Sequence, residues 1–242
     1  RGTHNPLKIK VSSIIQGGNW NWPRNLQGIK QITDFNPEAN SPDRVIWTIN
    51  PSGSFSVASA WNHIRYPLPK VPWYNVIWFK KHTPRHAFIL WLNWLDRLPL
   101  KDKLLKWGII NQASCSLCNS GTESVDHLFF SCPFSHKIWA VSMDCCLIDR
   151  TLLTWNQVKV WFSTHCKDDS LHSTVRKWTL AATVYAIWQE RNYRIFRNKK
   201  RNCFSILQDI AMVVRSKIFL NPNKTSGIGK NICNRWNAHR SH

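Results

Sequence analysis

Apolar residues recur at helical spacing through the middle of the chain. After Ser56, four apolar residues occur at positions i, i+3, i+4 and i+7; they are Val57, Ala60, Trp61 and Ile64. This spacing predicts a short helix that is capped by Ser56. A wider apolar stripe over residues 87–98 follows Thr83-Pro84, a pair typical of a helix start. This second helix should be buried on most sides and end at Pro99. A shorter helix should run to Trp107, with Gly108 at its C-terminal cap.

The second half of the chain carries longer helical patterns. One helix is predicted over Pro133–Cys145, a long one from about Leu171, and another over Phe204–Phe219. The last two should pack together as a helical hairpin. Residues 147–170 are interpreted as a linker with a short amphipathic piece. Residues 221–242 are polar and basic, which predicts a disordered tail.

The first fifty residues show little periodicity and are interrupted by glycine and proline. The stretch from Val45 to Ile49 alternates in polarity, and turn residues follow at Asn50–Gly53. This pattern predicts a small β-hairpin that returns through Ser54–Ser56. The segment 1–53 should otherwise be extended, with short strands.

Three cysteines and one histidine follow at C-x2-C-x8-H-x4-C spacing. They are Cys115, Cys118, His127 and Cys132. Thiolate sulfur and imidazole nitrogen are the ligands that tetrahedral zinc prefers, and four protein ligands leave no open position for catalysis. The spacing therefore predicts one structural zinc ion. His136 is an alternative fourth ligand, although Pro133 disfavours helix at Cys132 and suits a ligand there.

Further characteristic positions surround the four ligands: Trp91, Leu98-Pro99, Asp102–Leu105, Gly108, Glu123, Leu128-Phe129, Pro133 and Trp139. Together with the ligands, they resemble the zinc-binding domain of plant reverse-transcriptase-related proteins. In that family, the domain lies C-terminal to the polymerase of non-LTR (LINE-type) retrotransposons. The resemblance runs from about Phe55 to Trp139, and a looser match covers Tyr185–Asn192. One departure is Leu100, where the family pattern has a threonine that would cap the next helix.

These patterns predict a mainly α fold with a small β-hairpin, a zinc-stabilised loop and a C-terminal helical hairpin. Five segments follow along the chain. They are an N-terminal extended segment with short strands (1–53), a reverse-transcriptase-type zinc-binding domain (54–146), a linker (147–170), a helical hairpin (171–220) and a basic disordered tail (221–242).

Charge changes this picture by indicating a partner. The chain of 242 residues has 33 Lys and Arg against 13 Asp and Glu, a formal net charge of +20. Such an excess favours a polyanion, most simply RNA or DNA. No apolar run approaches the length of a membrane span, so a membrane partner is not expected. The eight cysteines fit reduced thiols in an intracellular protein that works in the nucleus.

The positive charge is concentrated in two places. The first is a cluster at the end of the long helix, and the second precedes and begins the buried helix. Both are candidate phosphate-binding sites. The cluster comprises Arg191, Arg194, Arg197, Lys199, Lys200 and Arg201, and the second group comprises Lys80, Lys81 and Arg85.

Catalytic residue patterns are missing from the sequence. Polymerase chemistry needs paired carboxylates that hold two metal ions. The adjacent acids Asp168-Asp169 stand in polar surroundings, which predicts an exposed loop. No ribonuclease H or endonuclease carboxylate set is recognisable, and no small-molecule substrate is expected. Glu123 and Asp126 are interpreted as groups that support the loop from Cys115 to Cys132, called the zinc loop below, or that cap helices.

The first hypothesis is a non-catalytic zinc-binding and nucleic-acid-binding module. By the resemblance, it would hold template RNA or target DNA for a polymerase domain absent from this chain. Since the chain begins with Arg1, it is expected to be a fragment of a larger polyprotein. The alternative is a protein-interaction or structural module, or a domesticated remnant, that packs on a polymerase partner. An enzyme in its own right is the third hypothesis, and the missing carboxylates disfavour it.

Overall fold

The computed structural model describes residues 13–17, 19–24, 45–148, 153–220 and 227–238. These residues are mostly helical, as predicted. The chain divides into two compact units between Leu68 and Pro69. The predicted segment boundaries after residues 53 and 146 do not coincide with this division.

The first unit contains an antiparallel hairpin of two short strands, β1 (Ile15–Gln16) and β2 (Asn19–Trp20). Ile15 pairs with Trp20, and Gly17 occupies the connecting turn at φ +58°, a conformation that glycine adopts without steric penalty. A small hairpin was expected, but further along the chain.

The hairpin predicted over residues 45–56 is wrong, because this stretch forms consecutive turns. The N–H of Trp47 donates to the Gly53 carbonyl at 2.8 Å and closes a short loop. Inside it, the Asn50 side chain accepts from Ser52 N–H and donates to the Ser54 carbonyl. Such local side-chain bonds compete with a strand ladder.

Helix α1 (Val57–Ile64) follows the turns, and its predicted cap is confirmed. The Ser56 hydroxyl accepts from Ser59 N–H at 3.1 Å, while the Ser59 hydroxyl accepts from Ser56 N–H at 3.3 Å. These reciprocal bonds satisfy two N–H groups that have no partner inside the helix.

The second unit is built from helices packed around one long central helix. The elements are α2 (Tyr74–Ile77), α3 (Pro84–Trp94), α4 (Lys101–Lys106), a π-helical turn (His127–Ser131), α5 (Pro133–Cys145), α6 (Trp155–His165), α7 (Leu171–Arg197), α8 (Cys203–Phe219) and α9 (Ile228–Ala238). Helix α7 is about 40 Å long and packs on α3, α5, α8 and α9. The predicted pairing of α7 with α8 and the predicted bounds of α5 are confirmed.

Helix α3 ends at Trp94, so the prediction that it continues to Pro99 is wrong. Asp96 adopts a left-handed conformation (φ +53°), and Arg97 N–H donates to the Leu92 carbonyl at 2.7 Å. This pattern closes a helix by satisfying its last carbonyl groups. The same motif ends α4, where Gly108 has φ +70°, as the sequence predicted.

Two segments that the sequence presented as linker and tail contain packed helices. In the predicted linker, α6 buries Trp155, Val158 and Phe162. In the predicted tail, α9 packs on α5, α7 and α8 and buries Trp236. The prediction of disorder is therefore wrong for residues 228–238. Residues 221–226 and 239–242 of the predicted tail lie outside the described residues.

Within the described ranges, no helix has both the length and the apolar character needed to cross a membrane.

Replacing Gly108 by alanine isolates the effect of backbone conformation on stability. A Cβ atom at this position would meet no atom within 4 Å, so only the left-handed φ of +70° is unfavourable. We expect Gly108→Ala to lower the free energy of unfolding by about 1–2 kcal/mol in chemical denaturation. Lys106→Ala, at an exposed helical position nearby, is the control and should have little effect. A Gly108→Ala variant as stable as the parent chain would contradict this account of the helix end.

Candidate metal centre

The first two cysteines lie in a tight turn whose backbone is tied together at its base. Cys115 N–H donates to the Gly121 carbonyl at 3.0 Å, and Asn119 N–H donates to the Cys115 carbonyl at 2.8 Å. Asn119 takes a left-handed conformation (φ +59°), and Leu117 N–H points at the Cys115 sulfur at 3.4 Å. The turn therefore directs both sulfur atoms to one side.

The other two ligands come from the two ends of the π-helical turn. Cys132 N–H donates to the His127 carbonyl at 2.8 Å, which holds the two residues close together. Cys132 itself is extended (φ −66°, ψ +126°) and immediately precedes α5 at Pro133. The prediction that Pro133 keeps this ligand out of the helix is confirmed.

The four side chains converge at a geometry that fits zinc. One ligand atom from each of Cys115, Cys118, His127 and Cys132 lies within 4.8 Å of all the others. The sulfur atoms of Cys115 and Cys132 are 3.9 Å apart, and the Cys118 sulfur is 3.3 Å from His127 Nε2. A tetrahedral zinc with bonds of about 2.3 Å to sulfur and about 2.0 Å to nitrogen separates its ligand atoms by about 3.5–3.8 Å. All four positions are then taken by protein atoms, so zinc would act as a cross-link.

The alternative ligand His136 lies outside this group, because its Nδ1 is 3.0 Å from the Phe130 carbonyl oxygen. Cys132 therefore occupies the fourth position, and the hydrogen bond from Cys115 lowers the pKa of the Cys132 thiol well below its usual range. The same hydrogen bond raises the pKa of the Cys115 thiol, so it favours one thiolate of the pair, whereas zinc binding requires both sulfurs as thiolates.

Glu123 is fully buried beside the metal centre and joins the zinc loop to two helices. Its Oε1 accepts from Arg191 Nη2 at 2.8 Å and from Nε at 3.1 Å. Its Oε2 accepts from the Ser116 hydroxyl at 2.7 Å and from Ser116 N–H at 3.0 Å. The N–H groups of Lys101 and Asp102 donate to the Glu123 carboxylate and carbonyl. Glu123 thus caps α4, because the N-cap residue Leu100 makes no side-chain hydrogen bond of its own.

The interpretation of the two acids as supporting groups is confirmed. Burial raises the pKa of Glu123, but the Arg191 guanidinium and the Ser116 donors outweigh burial and hold this pKa below its usual value. Asp126 accepts from Trp155 N–H at 2.6 Å, at the first residue of α6. Both carboxylates are therefore engaged by backbone or side-chain donors next to the zinc loop.

Three of the six predicted cluster cations are buried or half-buried and form ion pairs within the fold. Arg191 is only 3% exposed and also donates to the Pro99 carbonyl. Arg194 donates to Glu190 and to the Leu117 carbonyl of the zinc loop. Arg201 binds Glu190 and Asp209. The prediction of phosphate contact is wrong for Arg191, because its guanidinium is buried and bound to Glu123.

The remaining predicted cations are exposed. Arg197, Lys199 and Lys200 lie at the end of α7 and in the loop that follows it, while Lys80, Lys81 and Arg85 lie before and at the start of α3. The Arg197 guanidinium is 5.0 Å from the centre of the Tyr193 ring. Asp168 and Asp169 lie in an exposed loop, as predicted.

The pairing of Glu123 with Arg191 was missed because the partners are 68 positions apart in sequence. One available signal was that the chain has only 13 acidic residues against 33 Lys and Arg. A carboxylate that becomes buried needs a cation as its partner, and cations are plentiful in this chain. A second signal was that Glu123 and Arg191 each lie in a stretch that carries the family resemblance, residues 55–139 and 185–192 respectively.

Comparisons with known proteins agree with the metal centre. Residues 55–139 match the family model described as zinc-binding in reverse transcriptase. A putative ribonuclease H protein from Arabidopsis thaliana is similar, with 27% identity over 101 residues. That alignment covers 40% of this chain and 16% of the relative, so the chain spans a small part of that protein. No solved structure matches significantly.

The matched segment is thus a zinc-binding domain of the type associated with reverse transcriptases. Its three cysteines and one histidine can hold one zinc ion.

Loss of one ligand should release the metal and destabilise the second unit. Cys118 is the ligand to replace, because Cys115 and Cys132 are fully buried and their substitution would also disturb packing. We expect Cys118→Ser to bind less than one zinc per chain and to lose the thermal stabilisation that added zinc gives the parent chain. Elemental analysis and thermal unfolding with and without a chelator measure both effects.

Cys203→Ser is the matched control for this experiment, since Cys203 is also half-buried and donates to a backbone carbonyl outside the ligand set. Unchanged zinc content and stability in Cys118→Ser would refute the assignment.

The Glu123–Arg191 pair should show strong coupling in a double-mutant cycle. Glu123→Gln leaves a buried guanidinium without its counter-charge and should lower stability by about 3–5 kcal/mol, and Arg191→Met should do so by a similar amount. The double variant should be much more stable than the sum of the two losses predicts. Additive losses would contradict a direct interaction.

Acidification should lower the stability of the fold by protonating Glu123 in the same ion pair. Because the folded state lowers the pKa of Glu123 below the ordinary value of 4.5, the carboxylate stabilises the fold above that pH. This contribution disappears as pH falls through the lower, folded pKa, and Glu123→Gln should show a smaller decrease in stability over that range.

Proposed function

We propose that this chain is a zinc-stabilised, non-catalytic module that binds nucleic acid. In a larger plant retrotransposon-derived protein, it would hold template RNA or target DNA in the nucleus while a separate polymerase domain copies it. The proposal rests on one observation above all. Groups of cations remain exposed on the surface in addition to the cations that form ion pairs inside the fold.

The distribution of charge supports this proposal. Five of the cations that the sequence singled out carry this argument because they remain exposed; they are Arg197, Lys199, Lys200, Lys80 and Arg85. The net charge of +20 adds a long-range attraction for a polyanion. Cations that already neutralise buried carboxylates cannot bind phosphate at the same time, so these five are the groups we assign to phosphate binding.

The state of the acids supports a non-catalytic role. Glu123 and Glu190 are fully buried and are held by arginine side chains, which leaves their oxygens committed to the fold. Among the described residues, the zinc ligands are the one group of His, Cys, Asp or Glu side chains close enough together to hold a metal ion. The name of the Arabidopsis relative describes a much longer protein, and we do not extend its ribonuclease H designation to this segment.

A protein-interaction module is the second candidate, and helix α1 favours it. Val57, Trp61 and Ile64 form one apolar face of this helix, yet they are 77%, 61% and 78% exposed. Such a face is suited to packing against another protein surface. A polymerase domain is the partner that the reverse-transcriptase association of residues 55–139 suggests.

Removal of the exposed cations should weaken nucleic-acid binding and flatten its salt dependence. We expect zinc-loaded protein to bind labelled single-stranded RNA and duplex DNA with an affinity that falls steeply across a salt series. The triple variant Arg197→Ala, Lys199→Ala, Lys200→Ala should bind both more weakly. For single strands, the slope of log K against log salt should fall by about 0.7 for each phosphate that the variant no longer neutralises.

The matched control removes three exposed lysines from other elements, in the variant Lys106→Ala, Lys167→Ala, Lys230→Ala. It has the same net charge as the test variant, so equally weakened binding in the two variants would indicate a non-specific effect of total charge. Absence of binding by the parent chain at moderate salt would reject the nucleic-acid proposal and favour the interaction module.

A further inference from the structure

A groove between α3 and α7 combines an exposed aromatic ring, side-chain amides and a cation. Its volume is about 320 Å³, and it is open to solvent. Helix α3 contributes Arg85 and Phe88, and α7 contributes Tyr185, Gln189 and Asn192. The three α7 residues recur at i, i+4 and i+7, which places them on one face of that helix.

The lining has the chemical groups that recognise an unpaired nucleobase. Phe88 is 49% exposed, whereas Ala87 and Leu90 on the same helix are buried. Its ring offers a surface on which a base can stack. Gln189 and Asn192 carry amides, and an amide can both donate to and accept from the edge of a base.

The groove has cations toward both of its ends. Helices α3 and α7 run in the same direction, so the start of α3 lies beside the earlier part of α7. The Trp178 indole donates to the Lys81 carbonyl at 2.9 Å, and the ring of His86 stacks on Tyr185 at 4.5 Å. Lys80, Lys81 and Arg85 therefore lie toward one end of the groove. Arg197, against the Tyr193 ring, lies toward the other end, about 18 Å from Tyr185 along α7.

The charge of the groove favours a nucleic-acid strand over an apolar peptide. None of the described lining residues is acidic, and Arg85, Gln189 and Asn192 interrupt the apolar surface that an amphipathic helix would need. A strand with alternating bases and phosphates matches aromatic and amide groups flanked by cations.

We propose that the α3–α7 groove holds an unpaired base of a single nucleic-acid strand, stacked on Phe88, with phosphates further along the strand in the two directions at Arg85 and Arg197. This inference rests on the proposed function and adds to it the form of nucleic acid and the place where a base is bound. A paired base is not available for this contact, so the groove distinguishes single strands from duplexes.

Truncation of the Phe88 ring tests the stacking contact directly. The probes are labelled oligo-uridine and oligo-deoxythymidine of about ten nucleotides and a duplex of the same length. We expect Phe88→Ala to weaken single-strand binding by about tenfold or more, to leave the salt dependence unchanged and to affect the duplex little. Phe88→Trp should retain single-strand binding. The ratio between the two oligonucleotides reports whether RNA or DNA is preferred.

Phe204→Ala is the matched control, since Phe204 is 52% exposed, lies on α8 and does not line the groove. Thermal unfolding of each variant checks that the fold is retained. As a second readout, an oligonucleotide that carries 5-bromouracil should form a photo-crosslink to the peptide that contains Phe88.

The outcomes separate the inference from the proposed function. Salt-dependent binding that Phe88→Ala leaves unchanged, with the crosslink elsewhere, overturns the groove and leaves the proposed function standing. Equally weakened binding of single strands and duplexes also overturns it. No binding by the parent chain to either oligonucleotide or to the duplex rejects both proposals together.

Discussion

The buried ion pair between Glu123 and Arg191 is the constraint on which the arrangement of the second unit depends. Neither charge is tolerable in that interior without the other, so the zinc loop and helix α7 have to meet at one place and in one orientation. The carboxylate also accepts from Ser116 and Lys101, which ties the zinc loop to the start of α4. A network whose donors and acceptors are all satisfied specifies geometry more strictly than apolar packing does.

Metal ligation and this ion pair act on the same short loop in different ways. Zinc would connect the turn at Cys115 to the π-helical segment that ends at Cys132, whereas Glu123 and Arg194 connect that loop to α7. Zinc held by these four residues would therefore fix the conformation within the loop, whereas Arg191 and Arg194 attach the loop to α7. About two turns before Arg191, Tyr185 of α7 stacks on His86 of α3, so one helix carries both the metal centre's attachment and the groove.

The excess of positive charge has two separate uses in this molecule. Some arginines satisfy the buried acids Glu123 and Glu190, and their charge is neutralised inside the fold. Other cations within a few residues of them, such as Arg197 and Lys199, remain in solvent. A basic stretch of sequence can thus contain structural and binding residues in alternation, and only burial separates them.

The sequence by itself determined the features that depend on local spacing. The four zinc ligands, the bounds of α5, the Ser56 cap and the left-handed Gly108 follow from residue types a few positions apart. Tertiary structure alone decided which arginines are buried, because Arg191 meets a partner 68 residues away. It also decided that residues 228–238 form a helix, since α9 becomes stable by burying Trp236 against α5, α7 and α8. Periodicity reports what a segment can bury, whereas the surface and the counter-charge that receive it come from distant parts of the chain.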